Sequence, residues 1–260
     1  MNSTLDLLLQ RRTHRSFKDE PIKEEDLKIL KEATLRAPTA GNMMLYSILE
    51  ITDQDKKDKL AILCDNQSFI ATAPLVWVFV SDIQKWVNYY RESGSVTKGA
   101  EIGIKERKLG LGDLFLANSD ALIAAQTAVV AAEALQIGSC YIGDVLEEYE
   151  KIKQLLDLPK HVAVATLLVF GYPKNPKPLE HKSIRCPASS VFMENGYKEP
   201  HLEELQIAFG KQEEHLRKQK RLPFDNSGTI SDFYYFRKHN SPFMEEMNRS
   251  VSQLVDKWLE

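Results

Sequence analysis

Gln10-Arg11-Arg12-Thr13-His14-Arg15-Ser16-Phe17 is the stretch on which this chain's interpretation turns. Its eight positions hold three arginines, a histidine and two hydroxyls. Arginine is always charged, and its planar fork of donors matches phosphate oxygens. In an extended segment alternate side chains share a face, so Arg11, Thr13 and Arg15 would point one way, as a rake of donors for one polyanionic ligand. An arbitrary basic segment is more often a solvated turn. What gives this one meaning is its company further along the chain.

The 260 residues suffice for one large domain or two small ones. A net charge of −3 gives no global attraction to nucleic acid, so the N-terminal arginines can act only locally. No apolar run reaches the roughly eighteen residues of a membrane span. The first residues lack the basic and apolar regions of a signal peptide. Cys64, Cys140 and Cys186 are odd in number and show no metal-ligand spacing. A reduced, cytoplasmic chain without a structural metal is therefore expected.

Ser3 or Thr4 can cap a short helix through Leu5, Leu7, Leu8 and Leu9, which delivers the basic stretch at its C-terminal end. Lys23 to Arg36 reads as an amphipathic helix with acidic residues in its first turn. Pro38 and the small-residue loop Thr39-Ala40-Gly41-Asn42 follow. Tyr46 to Ile51 is expected to be a strand and Asp55 to Leu63 a helix. Leu75-Val76-Trp77-Val78-Phe79-Val80 is a continuous apolar run, the pattern of a strand covered on both faces.

Asp113 to Gln136 is the longest helical pattern. It is apolar nearly all round, which places it in a domain core or between subunits, and Gly138 is expected to close it. Ser139 to Ile142 is a strand ending at Gly143-Asp144, Glu147 to Leu156 a helix, and Val162 to Phe170 a second all-apolar strand. Alternating strands and helices predict an α/β or α+β fold with a central sheet. A G-x-G-x-x-G loop is absent, which argues against a Rossmann site. Residues 198–260 are polar and helical, too poor in apolar residues for a core of their own, and are expected to wrap on the main body or on a partner.

Four motifs in order resemble the FMN-dependent nitroreductase family, closest to its oxygen-insensitive NADPH nitroreductase and flavin reductase P branch. They are Arg11 to Phe17; Ala37-Pro38-Thr39-Ala40-Gly41-Asn42; Gly138-Ser139-Cys140-Tyr141-Ile142-Gly143; and Arg185-Cys186-Pro187-Ala188-Ser189. Asn66-Gln67 lies between the second and third. The resemblance covers about residues 1–200. It implies an α+β fold with a central mixed sheet flanked by helices, and a homodimer with an interwoven helical interface. It also implies FMN bound where the subunits meet. Residues 1–197 would form the FMN-binding domain and 198–260 a helical extension.

By the same resemblance, Arg11, Thr13 and Arg185 would hold the FMN phosphate through charge-assisted hydrogen bonds, with Arg12 and Lys182 beside them. Arg15 would face the pyrimidine edge of the flavin, where a fixed cation stabilises the reduced state. Gln67 would reach the ribityl chain or ring edge. The Tyr141-Ile142-Gly143 turn would offer a backbone N–H, that of Gly143, to flavin N5. Pro38, Thr39 and Asn42 would come from the other subunit. The chain departs from the branch at Ser183, where a lysine is usual; at Ala40, in a turn otherwise rich in serine; and at Asp144, in place of a second glycine.

The implied activity is NAD(P)H-dependent reduction of nitroaromatics, quinones or free flavin by ping-pong hydride transfer. The donor would be NADPH or NADH, and the acceptor a small aromatic. The cationic stretch His215-Leu216-Arg217-Lys218-Gln219-Lys220-Arg221 is the candidate for a 2′-phosphate contact that would favour NADPH, or else a solvated helix face. A flavin-binding carrier or sensor without turnover would use the same phosphate rake. His14 reads as an exposed histidine, Cys140 as a small core hydrophobe, and Trp86 to Tyr90 equally as a lid or a helix face.

Overall fold

The computed structural model describes residues 3–175 and 183–260. Its centre is a sheet of β1 (Tyr46–Glu50), β2 (Leu75–Asp82), β3 (Gly138–Ile142) and β4 (Val162–Gly171), in the order β1-β2-β4-β3. The all-apolar runs became the two inner strands, buried at every position. Every pairing between these strands is antiparallel. The mixed sheet expected from the sequence is thus corrected. Its parallel component is an isolated bridge from Thr13 to Ser139, beside β3. Helices on both faces, rather than parallel pairing, explain the unbroken apolar strands.

Alternation along β2 divides the core. Val76, Val78 and Val80 pack towards α3 (Gln54–Leu63), α4 (Ser68–Thr72) and α8 (Tyr149–Leu155), through Leu60, Ile70 and Ile152. Trp77 and Phe79 face the other way, against Leu30 of α2 (Glu24–Thr34) and the alanines of α7 (Leu111–Ala134). Ala117, Ala121, Ala124, Ala125, Ala128 and Ala132 are fully buried, because only small side chains let so long a helix lie close on the sheet. The outer face of α7 carries large apolar side chains. Phe115 is 70% exposed, and Leu116, Leu122 and Ile123 are exposed as well.

Two ends of elements differ from expectation. After α7 the left-handed position is taken by Gln136 (φ 58°), while Gly138 already belongs to β3. The expected helix from Glu147 is preceded by a short 3-10 turn, Asp144–Leu146, and α8 itself starts at Tyr149. Between β2 and α7 lie α5 (Gln84–Glu92) and α6 (Ser95–Glu101). On α5, Trp86 is half-buried and donates to the Met43 carbonyl at 2.8 Å, whereas Tyr89 is 61% exposed, so the aromatic cluster is a helix face with one anchored edge.

The chain divides into two compact units, Met1–Lys177 with Met247–Glu260, and Pro178–Glu246. The second contains α9 (Leu202–Lys218) and α10 (Ile230–Tyr234), and it has a small core after all: Leu216, Leu222, Ile230 and Phe233. α11 (Pro242–Leu259) ends in the first unit, where Trp258 and Leu254 pack with Leu45, Ile83 and Leu114.

Candidate functional site

The basic stretch is seated by backbone and by two missing side chains. Leaving α1 (Ser3–Gln10), it runs along β3, the sheet's edge strand. Thr13 bridges Ser139, His14 N–H donates to the Ser139 carbonyl at 2.9 Å, and Lys18 N–H donates to the Tyr172 carbonyl at 2.9 Å. It thereby crosses the ends of β3 and β4, where Gly138 and Gly171 are register partners. A Cβ on Gly138 would lie 2.8 Å from the His14 ring, and one on Gly171 2.8 Å from Phe17. So Gly138, read as a helix terminator, is instead a seat for His14. His14 is half-buried rather than exposed.

Gly138→Ala tests this seat. The added methyl must displace a histidine whose backbone is pinned to the neighbouring residue, so overpacking should cost about 1–3 kcal/mol. A lowered urea midpoint with unchanged slope is the expected outcome, and an unchanged midpoint would show that His14 moves aside freely.

Several groups converge on this corner. Arg11, Arg12 and Thr13 are half-buried and Arg15 is exposed. Burial pushes the Glu133 carboxyl up, and the Arg11 and Arg12 cations pull it back. Burial raises the Cys140 thiol, with Arg15 and Arg11 opposing, which places both arginines beside β3. Burial pushes the Tyr141 phenol up to about 12, with Arg11 again opposing. Tyr141 remains 38% exposed and its hydroxyl donates to Gln126 Oε1 at 3.4 Å. Ile142 is buried, while Gly143 is exposed with open space where a Cβ would stand. Gln67 precedes α4 and donates from Nε2 to the Cys64 carbonyl at 2.9 Å. Burial and then Asp144 raise the Cys64 thiol to about 12, and Asp144 also raises that of Cys140, so Gln67 is anchored beside the same turn.

The remaining expected contacts lie elsewhere. Asp120 on α7, 2% exposed, accepts from the Thr39 hydroxyl (2.7 Å), Ala40 N–H (3.0 Å) and Leu45 N–H (3.2 Å). Thr39 Oγ1 also accepts from Met44 N–H at 2.7 Å, so its hydroxyl is committed to holding the loop. Pro38 and Asn42 are exposed. Asp120 and Glu133 are thirteen positions apart on α7, roughly 20 Å at the helical rise. Within one chain, then, the Thr39 loop meets the middle of the helix and the arginines lie near its C-terminal end.

Lys182 lies outside the described residues, and Arg185 is exposed in the second unit. The cationic cluster at the end of α9 and just beyond it is largely engaged there. Arg217 binds Glu213 at 2.8 Å and the Gly228 carbonyl at 2.6 Å, Lys218 pairs with Glu214, and Arg221 lies over the Phe233 ring. A cavity of about 620 Å3 opens between α5, α6 and the loop into α7, lined by Trp86, Tyr90, Ile104 and Leu109 among others. Its lining contains none of the expected cofactor contacts.

Sequence reasoning missed Asp120 and Glu133. The signal was present: α7 carries only Asp113, Asp120 and Glu133 as charged residues in 24 positions. Asp113 accepts from Gly110 N–H and from both terminal nitrogens of Arg107. The other two acids serve the loop and the arginines.

The chain thus combines an antiparallel sheet beneath one long alanine-rich helix with an arginine-rich segment latched to the sheet's edge strand. The chain belongs to the nitroreductase family, whose model matches residues 8–172. It is 32% identical to the FMN reductase (NADPH) of Bacillus subtilis over 76% of this chain and 75% of that one. It is 30% identical to the oxygen-insensitive NADPH nitroreductase of Salmonella typhimurium, with the same coverage. Its structure is similar to that of the NfrA1 nitroreductase from B. subtilis, with a TM-score of 0.79, 25% identity, and 97% and 98% of the two chains covered.

Proposed function

We propose that this protein is an FMN-dependent oxidoreductase that takes hydride from NAD(P)H and passes electrons to free flavin, nitroaromatics or quinones. Family membership and the names of its relatives support the activity. Bound FMN supplies the redox chemistry. The residues present fit such a group: guanidinium groups for a phosphate, a half-exposed Tyr141 and an open Gly143 turn beside a planar ring.

Arg11 and Thr13, with Arg12 beside them, hold the phosphate. Arg15 sets a positive charge near the ring edge, where it favours the reduced state. The Gly143 N–H orients the reacting edge. For Lys182 and Arg185 the assignment rests on their motif alone.

The observation that carries a shared, dimeric site is the separation along α7. Arg11 and Arg12 face Glu133, whereas the Thr39 loop is bound to Asp120, roughly 20 Å away. A second copy packed antiparallel on the exposed stripe of α7 brings its Thr39 loop to this chain's arginines, and the two-fold axis makes two equivalent sites.

Purified protein should show a flavin absorption spectrum with one FMN per subunit, released on denaturation and identified by phosphate analysis. It should oxidise NADPH in the presence of excess FMN or a quinone. Colourless protein that cannot be loaded with FMN, or loaded protein that leaves NADPH and NADH untouched, would refute the assignment.

A further inference from the structure

We propose that Asp120 is a positioning residue for the flavin of the opposite subunit, acting through the Thr39 loop; the inference rests on the shared site proposed above. Asp120 is a carboxylate on the buried face of α7, whose other buried residues are all apolar, a placement that needs compensation from donors. It finds three, and all belong to one loop: Thr39 Oγ1 at 2.7 Å, Ala40 N at 3.0 Å and Leu45 N at 3.2 Å. That loop needs outside restraint. Gly41, Asn42 and Met44 all have positive φ (56°, 57° and 51°), a region that non-glycine residues rarely adopt.

One carboxylate therefore determines where Pro38 and Asn42, the exposed residues of the loop, are presented. Their anchor on α7 is roughly 20 Å along the helix from Glu133, the residue beside the arginines of the same chain. What Asp120 positions is consequently a wall of the partner's site. The hydroxyl of Thr39 lies within the latch, donating to Asp120 and accepting from Met44 N–H. Its part is to shape the loop, and the wall is left to its neighbours.

Mixed dimers separate this role from mere stability. One chain carries Asp120→Ala; the other, with a different tag, carries Arg11→Ala and Arg15→Ala. Each homodimer should lose NADPH-driven FMN reduction by on the order of 10²-fold, the usual effect of a misplaced site wall or lost cofactor clamp. In the mixed dimer the Asp120→Ala chain keeps its own arginines and receives an intact loop from its partner. That dimer should recover about half of wild-type turnover and bind about one FMN, one complete site of two. A mixed dimer as inactive as its parents overturns the proposal, because the loop then serves its own chain or the substitution simply damages the fold.

Should Asp120→Ala fail to fold, Asp120→Asn replaces it. The amide keeps the shape but retains a single acceptor oxygen, so one of the N–H or O–H contacts is lost. Reduced kcat with recovery in the mixed dimer is again the expected result, and wild-type kcat in the Asn homodimer overturns the proposal. Failure of the underlying activity looks different. Either the wild type would not reduce FMN, or the homodimer with Arg11→Ala and Arg15→Ala would retain wild-type FMN affinity, and both results would remove the shared flavin site itself.

Discussion

Arg11→Ala should weaken FMN binding at least about tenfold, and Arg11→Ala with Arg12→Ala at least about a hundredfold. A hydrogen bond to a charged group contributes about 1.5–3 kcal/mol, and each 1.4 kcal/mol is a factor of ten. The double variant should lose more than two contacts. Burial raises the carboxyl of Glu133, half-buried on α7, and these two cations oppose the rise. Without them it either takes up a proton or stands as an uncompensated carboxylate beside the phosphate position. Adding Glu133→Gln to the double variant should therefore restore part of the affinity. Arg91→Ala is the control, since Arg91 pairs with Glu106 beside the cavity at α5 and α6 and should leave FMN binding unchanged. Fluorescence titration of flavin-stripped protein measures all four. Wild-type affinity in both arginine variants would remove the basic stretch from the site.

Much of this arrangement is legible in the sequence. The runs at Leu75 and Val162 became the inner strands, since burial on both faces suits six apolar residues in a row at Leu75 and an apolar run broken only by Thr166 at Val162. Strand direction was not legible, because a fully apolar strand carries no face pattern from which to infer its neighbour. The arginines were conspicuous, but their seat was not. Gly138 fitted a helix terminator equally well, and only the approach of His14 from a distant part of the chain explains it. The core of the second unit escaped notice because Leu216, Leu222, Ile230 and Phe233 are spread over a helix, a loop and a second helix, so no single period reveals them. Asp120 was overlooked for the opposite reason. Its helix was read as one apolar block, although three acids in such a block are each an energetic question that a partner elsewhere must answer.

The largest effect should come from the outer face of α7. Phe115→Glu is expected to turn the protein into a flavin-free monomer at micromolar concentration. Phe115 is 70% exposed in the single chain, so the substitution removes little of the subunit's own packing. It lies on a stripe with Ser119, Leu122 and Gln126, at helical spacings of three and four, and Gln126 accepts from Tyr141 at the arginine end. Phe115 and Leu122, exposed beside Leu116 and Ile123, form apolar surface of the kind a partner helix would cover. In a two-fold dimer every substitution counts twice. A central aromatic contact contributes about 2 kcal/mol or more, so the pair should cost at least about 4 kcal/mol, close to a thousandfold in the dimer dissociation constant. Burying two carboxylates adds to that. Because the proposed site takes its arginines from one chain and its Thr39 loop from the other, FMN should leave with the partner. Sedimentation velocity run with simultaneous flavin absorbance reads both at once. A folded Phe115→Glu monomer that still carries its flavin would show that one chain completes the site, and a flavin-loaded dimer would move the interface to another face.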